Sequence, residues 1–266
     1  MTDNPLILVI IGIVVMALLF STILLGFIAS QKKKLKYQSD INQLRETQQN
    51  QLIEAAIRSE EAVRHGISEA LHDEVGAILS SSKLHLQGIK NSSLDNHDKE
   101  LYEKGKELLD EGIQKVRGIS HNLHSNILKE FGLNEAISHF INKVCQGTLL
   151  KATTALDENY TTKNSETDMS LYRIVQELVN NIMKHAHAKE IHISSSFINN
   201  QLILSVHHDG VGLSQEQFKA FRYNKEGLGL KNIQNRITYL KGSIEFYTDK
   251  NGSSITIYIP AKIPVV

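Results

Sequence analysis

The chain has 266 residues, 41% of them hydrophobic and 22% charged, with 16 Gly and only 3 Pro. This excludes a disordered or low-complexity chain and allows one or two domains with real cores. Its 29 basic residues balance its 29 acidic ones, so no overall field draws it to nucleic acid, and the single cysteine, Cys145, excludes an internal disulfide framework.

From Leu6 to Ala29 the sequence LILVIIGIVVMALLFSTILLGFIA carries no charge. As a helix these residues reach about 36 Å, enough to cross a hydrocarbon core of about 30 Å. A cleaved signal peptide would have a basic start and a shorter apolar core. Here only Asp3 is charged ahead of the span, and Lys32, Lys33, Lys34 and Lys36 follow it. Basic residues stay on the cytoplasmic side, so the expectation is a permanent single-pass anchor in the cytoplasmic (inner) membrane. Residues 1–5 would lie outside, and everything after Lys32 inside. Five outer residues are too few for a sensory domain, so a signal is expected through the membrane, the helix itself or another protein.

Residues 32 to about 90 lack Pro and contain only Gly66, Gly76 and Gly88, which reads as one long helix. Leu35, Ile41, Leu44, Leu52, Ala55, Ala62 and Val63 form a thin, irregular apolar stripe, the pattern of a weak coiled coil. The stripe thickens at Ile67, Ala70, Leu71, Val75, Ile78 and Leu79. Asn91-Ser92-Ser93 and Asp95-Asn96 read as a turn. A second helix is predicted from about Lys99 to Asn122, with Leu101, Leu108, Ile113, Val116 and Ile119 inward. A two-helix hairpin covers little surface alone, and dimerisation into a four-helix bundle would remedy that.

Beyond about Lys129 the pattern is mixed. Helices are predicted near Asn134–Cys145, Met169–His185 and Leu230–Leu240, and strands at Glu190–Phe197, Gln201–His207, Ser243–Tyr247 and Ser254–Ile259. The elements cluster rather than alternate, which predicts an α+β sandwich rather than a doubly wound sheet.

Two stretches carry chemistry. In Leu71-His72-Asp73-Glu74-Val75-Gly76, His72 falls at the edge of the apolar stripe, within reach of solvent. Imidazole keeps an unprotonated nitrogen near neutral pH, so it can act as a nucleophile; the plainer reading is a surface histidine. A carboxylate holding one ring nitrogen would leave the other free. Adjacent residues of an α-helix do not face each other, so spacing leaves Asp73, Ser68 and Glu69 equally placed as that partner. In the helix Tyr172–Ala186, Glu177, Asn181 and His185 follow i, i+4, i+8 with Lys184 beside them, while Leu171, Val175, Leu178 and Ile182 line another stripe. An amide next to Lys and His suits a Mg²⁺-bound polyphosphate. The competing readings are a solvated polar face, or zinc on His185, His187 and His192, a spacing that matches no standard zinc site. Asp209-Gly210-Val211-Gly212 after a strand and Gly227-Leu228-Gly229-Leu230 opening a helix are weak signals singly. Glycines at a helix N-terminus can bring N–H groups against phosphate.

In that order, LHDEVG, QELVNNIMKHA, DGVG and GLGLKNIQNRI resemble the two-component sensor histidine kinases. The narrower likeness is to the subgroup with an LHD phospho-acceptor helix (HisKA_3-like), whose regulators usually carry helix-turn-helix domains. The resemblance covers roughly residues 60–266. It implies a homodimeric dimerisation and phosphotransfer hairpin at 61–128 and a GHKL (Bergerat) ATP-binding sandwich at 129–266, following the transmembrane helix read above at 6–29 and a helical linker at 30–60, so that the whole is a membrane-anchored protein. By matched position His72 is the phospho-acceptor, Asp73 its acid/base neighbour and Glu177 the acidic residue of the N-box. Asn181 is the Mg²⁺ ligand, Lys184 and His185 meet phosphates, and Gly210, Gly212, Gly227, Gly229 and Leu230 fall in the two glycine boxes. Implied partners are ATP, Mg²⁺ and a cytoplasmic response regulator, with no direct contact to nucleic acid.

Two positions depart from the family pattern. Where the first glycine box has an Asp that accepts from the adenine amino group, this chain has His208, followed by Asp209. Strand alternation puts Leu204, Val206 and His208 on one face and Asp209 on the other. A neutral His208 can accept the same bond, or Asp209 can swing in if the strand ends before it. A second reading follows from His208: a membrane-anchored dimeric scaffold whose nucleotide pocket is degraded. Five residues after His72, where members that also dephosphorylate their regulator often carry Gln, stands Ala77, which cannot orient a water.

Overall fold

The computed structural model describes residues 5–89, 95–123, 126–146, 148–160, 165–221, 228–250 and 252–260. The chain divides into two compact units, Met1–Leu52 and Ile53–Val266.

The first unit is the leading part of helix α1 (Pro5–Ala70). Its described apolar side chains, including Leu18, Phe20 and Ile23, are all exposed, so their burial has to come from outside the chain. Among the described residues this is one helix long and apolar enough to cross a membrane.

In the second unit α1 continues through a π-helical turn (Leu71–Val75) into α2 (Gly76–Gln87), and α3 (Asn96–Leu123) runs beside it. The predicted turn at 91–96 falls mostly outside the described residues. The sequence leads one to expect an uninterrupted α-helix, and instead the backbone widens for one turn across LHDEV, with the Gly76 N–H donating to the Leu71 carbonyl. Such π turns gather at functional sites. Of the residues predicted to face inward on α3, Ile113 is buried within the chain, whereas Leu101, Leu108 and Ile119 are exposed. The hairpin is tied across its two helices by Ser68, whose hydroxyl meets Ser120 Oγ at 2.9 Å and donates to the Ser120 carbonyl at 3.0 Å.

The remainder is an α/β sandwich. Its sheet has the order β1-β2-β3-β5-β4, with β1 (Lys151–Ala155) parallel to β2 (Glu190–Ile198). The pairs β2–β3 (Gln201–His208), β3–β5 (Gly252–Pro260) and β5–β4 (Ser243–Asp249) are antiparallel. Alternation decides the faces: Ile191, Ile193, Leu202, Leu204, Val206, Ile255, Ile257 and Ile259 are buried against the helices, while their odd-numbered or even-numbered neighbours look outward. The helical layer is α4 (Asn126–Cys145), α5 (Ser165–Asn181) with a π-helical turn after it (Ile182–Ala186), α6 (Gln215–Phe221) and α7 (Leu228–Tyr239). Gly132, at φ 83°, breaks α4 into two segments, the second close to the predicted Asn134–Cys145. Strand β1 and helix α6 are additions to the predicted elements.

Asp168 is a polar residue inside this core, with the Tyr160 hydroxyl 3.3 Å from its carboxyl. Burial pushes its pKa up to about 6, against that hydrogen bond. An unfolded Asp ionises near 3.9. From there to pH 6 the unfolded chain sheds a proton that the folded chain keeps, so stability falls as pH rises through this window and stays lowered above it. Asp168→Asn is expected to abolish that slope and raise stability at pH 8 by roughly 2–3 kcal/mol, measured by urea unfolding at a series of pH values.

Candidate functional site

The π turn presents His72 and Asp73 side by side. His72 Nδ1 lies 2.8 Å from Asp73 Oδ1, and the two side chains are 73% and 74% exposed. The pairing that an α-helical wheel leaves open is thereby decided. Ser68 is committed to Ser120 and Glu69 sits near His65 at 3.5 Å, so neither competes for the ring. In the neutral tautomer that donates from Nδ1 to Asp73, the Nε2 lone pair is left pointing away. A cleft of about 340 Å³ beside the ring is lined by hairpin residues alone, among them Gly76, Ala77, Ile113 and Arg117.

Helix α5 buries Leu171, Ile174, Val175, Leu178 and Val179 and turns Glu177 and Asn181 to its half-exposed side. Lys184 and His185 follow in the π turn, both exposed. The wider turn takes His185 off the straight i, i+4, i+8 stripe that regular α geometry predicts. The Nδ2 atom of Asn181 is buried without a protein partner. That nitrogen is the atom left for a ligand to meet, and an amide turned over would present its oxygen there instead. Among the described residues no three His, Cys, Asp or Glu converge as a metal cage, and His192 Nδ1 is engaged by the Thr153 hydroxyl at 2.8 Å.

The first glycine loop is pinned to the end of α5, where the Val211 N–H donates to the Ala186 carbonyl at 2.8 Å. A Cβ on Gly210 would run into that carbonyl and the Ala188 nitrogen, and one on Gly212 into Ser253 and Thr248. At the start of α7 a Cβ on Gly229 would overlap the Glu177 carboxylate, so the second glycine stretch reaches Glu177 only because it lacks a side chain. Leu230 packs against the hydrophobic core and offers a ligand only its backbone N–H. Gly227 lies outside the described residues.

His208 ends β3 facing the core, 2% exposed, in line with Leu204 and Val206. Burial, with His207 beside it, pushes its pKa below the usual histidine value, against the pull of Asp209. The ring is therefore neutral at pH 7, and its Nδ1 has no partner among the described residues. Asp209 does not swing in, a correction to the alternative drawn from the sequence. Its Oδ1 accepts from the Lys189 and Glu190 backbone N–H groups at 2.8 and 3.0 Å, fastening the start of β2. Those bonds, Glu190 first, hold its pKa below the ordinary carboxylate value.

One cluster escaped the sequence reading. Arg173 and Arg236, both buried, meet Glu60 and Glu61 of α1 across a cleft of about 400 Å³ that also borders Glu177, Asn180 and Asn232. The one signal for it was an Arg between Tyr172 and Ile174, on a stretch whose apolar spacing marks it as buried.

Residues 166–263 of this sandwich, which carry the unpartnered amide and the two glycine stretches, match the family model of the histidine kinase-, DNA gyrase B- and HSP90-like ATPases. The histidine kinase HisKA_3 model matches residues 63–128, around His72, so the chain carries the two domains of a HisKA_3-type histidine kinase. It is 26% identical over 215 residues to the sensor histidine kinase MctS of Rhizobium johnstonii, covering 79% of this chain and 45% of that protein. It is 24% identical over 253 residues to the histidine-protein kinase/phosphatase UhpB of Salmonella typhimurium, covering 90% of this chain and 49% of that one. The chain thus spans about half the length of these relatives. Among solved structures, the histidine kinase domain of the Erythrobacter litoralis EL346 blue-light activated kinase aligns with a TM-score of 0.43 and 15% identity, over 70% of this chain and 94% of that one.

The glycines separate by what surrounds them. Gly210→Ala, which meets backbone, is expected to cost about 1–3 kcal/mol of stability. Gly76→Ala, whose Cβ would meet only the Leu71 carbonyl at 3.5 Å in a helical stretch, is expected to be neutral or stabilising by up to about 1 kcal/mol. Urea unfolding of the two variants checks the contrast.

Proposed function

We propose that the chain transfers the γ-phosphoryl group of ATP to its own His72 and then to an aspartate of a cytoplasmic response regulator. The observation that carries this reading is the 2.8 Å contact of His72 Nδ1 with Asp73 on an exposed π turn, which leaves Nε2 free. The Nε2 lone pair attacks the γ-phosphorus; the Nε2–P bond forms as the P–O bond to the β-phosphate breaks, and ADP leaves with the electron pair. Asp73 holds the Nδ1 proton and balances the positive charge that develops on the ring. Mg²⁺, when bound, neutralises phosphate charge, which is most of what phosphoryl transfer asks of a protein.

Asn181 would hold the cation, with Glu177 at hand and Lys184 and His185 toward the phosphates. Gly210, Gly212, Gly227, Gly229 and Leu230 would line the phosphate and base pocket. The buried, unpartnered Asn181 amide and the glycine loops support this assignment. His208 would read the base, its neutral Nδ1 accepting from the adenine amino group in place of a carboxylate. The scaffold reading rested on His208, and a buried neutral ring with an unpartnered nitrogen supports nucleotide binding instead.

The exposed Leu101, Leu108 and Ile119 support a homodimeric four-helix bundle, the apolar α1 supports a single-pass anchor, and Lys32, Lys33, Lys34 and Lys36 after it support a cytoplasmic catalytic part. The regulator would be of the helix-turn-helix type. Ala77, lining the cleft beside His72, gives no group to orient water for dephosphorylation.

The full chain in detergent with γ-labelled ATP and Mg²⁺ is expected to take up acid-labile, alkali-stable label, and His72→Gln to take up none. Label persisting on His72→Gln overturns the acceptor assignment. His208→Ala is expected to weaken Mg-ATP binding about tenfold, the cost of a lost buried hydrogen bond, and His208→Asp to retain it; titration with a fluorescent ATP analogue reads both.

A further inference from the structure

The ion cluster between α1 and the sandwich lies outside the chemistry above, and it fixes where the nucleotide domain sits. Arg173 donates from Nε to both Glu61 oxygens at 3.1 and 3.2 Å and from Nη2 to Oε2 at 3.0 Å. It also donates to the Asn122 and Leu123 carbonyls, so it grips the end of α3 as well as α1. Arg236 donates from Nη2 to Glu60 at 2.9 Å and Glu61 at 2.8 Å. Arg64 braces Glu60 from its own helix at 2.9 and 3.0 Å.

Glu61 precedes His72 by eleven residues. Three helical turns bring it back to nearly the same face, about 16 Å further along the axis. The nucleotide domain is therefore fastened on the side that carries His72, but displaced from it. The two clefts agree. The one beside Glu177 is walled by Glu60 and Arg64, whereas the one beside His72 has no lining from the sandwich among the described residues. His72 stays exposed, while Glu177 borders the cleft that α1 walls with Glu60 and Arg64, about two to three turns ahead of His72.

The cluster is also built to be broken. Arg236 Nη1 is buried with no partner among the described residues, and the contact includes four charged side chains that must be desolvated to form it. Such contacts hold a defined geometry yet add little net stability. Burial works against the ionised Glu60, but the Arg236 and Arg64 guanidiniums outweigh it and hold its pKa below the usual glutamate value, so Glu60 stays ionised at neutral pH.

We propose that Glu60 and Glu61 form a charge latch that parks the nucleotide domain short of His72, and that opening this latch is the step that permits autophosphorylation. The regulatory consequence rests on the kinase reading; the latch as a physical tie does not.

The test uses the full chain in detergent with Cys145→Ser and spin labels at Ser81 on α2 and Lys219 on α6, both exposed. The double variant Glu60→Gln/Glu61→Gln keeps side-chain shape and removes the charge, and Arg236→Gln breaks the cluster from the other side. Both are expected to broaden or shift the label-to-label distance and to raise the initial rate of His72 labelling about 5- to 50-fold, with ATP affinity unchanged. An unchanged distance overturns the latch. A labelling rate within about twofold of wild type, with a changed distance, overturns its role in holding back transfer. If neither wild type nor variant is labelled, the kinase reading fails by itself, and the distance still decides for or against the tie.

Discussion

Helix α5 has to bury one side completely and keep the other half wet, and the sandwich is arranged around that requirement. Leu171, Ile174, Val175, Leu178 and Val179 are sealed against the sheet and α4, which fixes the helix in rotation. Once its rotation is fixed, Glu177 and Asn181 have no choice of direction, and the glycine loops must come to them. They do so by giving up Cβ atoms: Gly229 against the Glu177 carboxylate and Gly210 against the Ala186 carbonyl. Arg173, on the same helix one turn before Glu177, extends the constraint outward to α1 and α3. One buried stripe thus sets both the chemistry on the helix and the place where the domain leans.

Much of this was legible from the sequence wherever burial has a period. The alternation in EIHISSSF and QLILSVH marks β2 and β3 to within a residue, and it places His208 inward and Asp209 outward before any coordinates exist. Strand β1 was missed because KATTA has no alternation to read; it is an edge strand with four of its five residues exposed, and its pairing partner lies far along the chain. Helix α6 is too short for a periodic signal, with Phe218 as its one buried residue.

What stayed hidden depended on hydrogen-bond register or on distant partners. A π turn leaves no mark in hydrophobic spacing, yet it is what brings His72 and Asp73 together, a pairing that ordinary helical geometry disfavours. The Glu60–Glu61 and Arg173–Arg236 cluster joins residues more than a hundred positions apart, and apart from Arg173, set among buried apolar positions, each of them alone reads as a solvated charge. Asp209 looked like a candidate ligand because it stands in a glycine-rich motif; the backbone N–H groups of Lys189 and Glu190 claim it instead.

That division of labour at the end of β3 has a consequence for how such a chain can vary. The pleat assigns position 208 to the interior and position 209 to the clip on β2, so the two side chains answer to different demands. A carboxylate-for-imidazole exchange at 208 alters the polarity of the buried corner without loosening the clip. Variation at 209 would release the start of β2 whatever stands beside it. The chemistry of the inward corner can therefore be altered separately from the fastening of β2, whereas a change at its neighbour cannot spare that fastening.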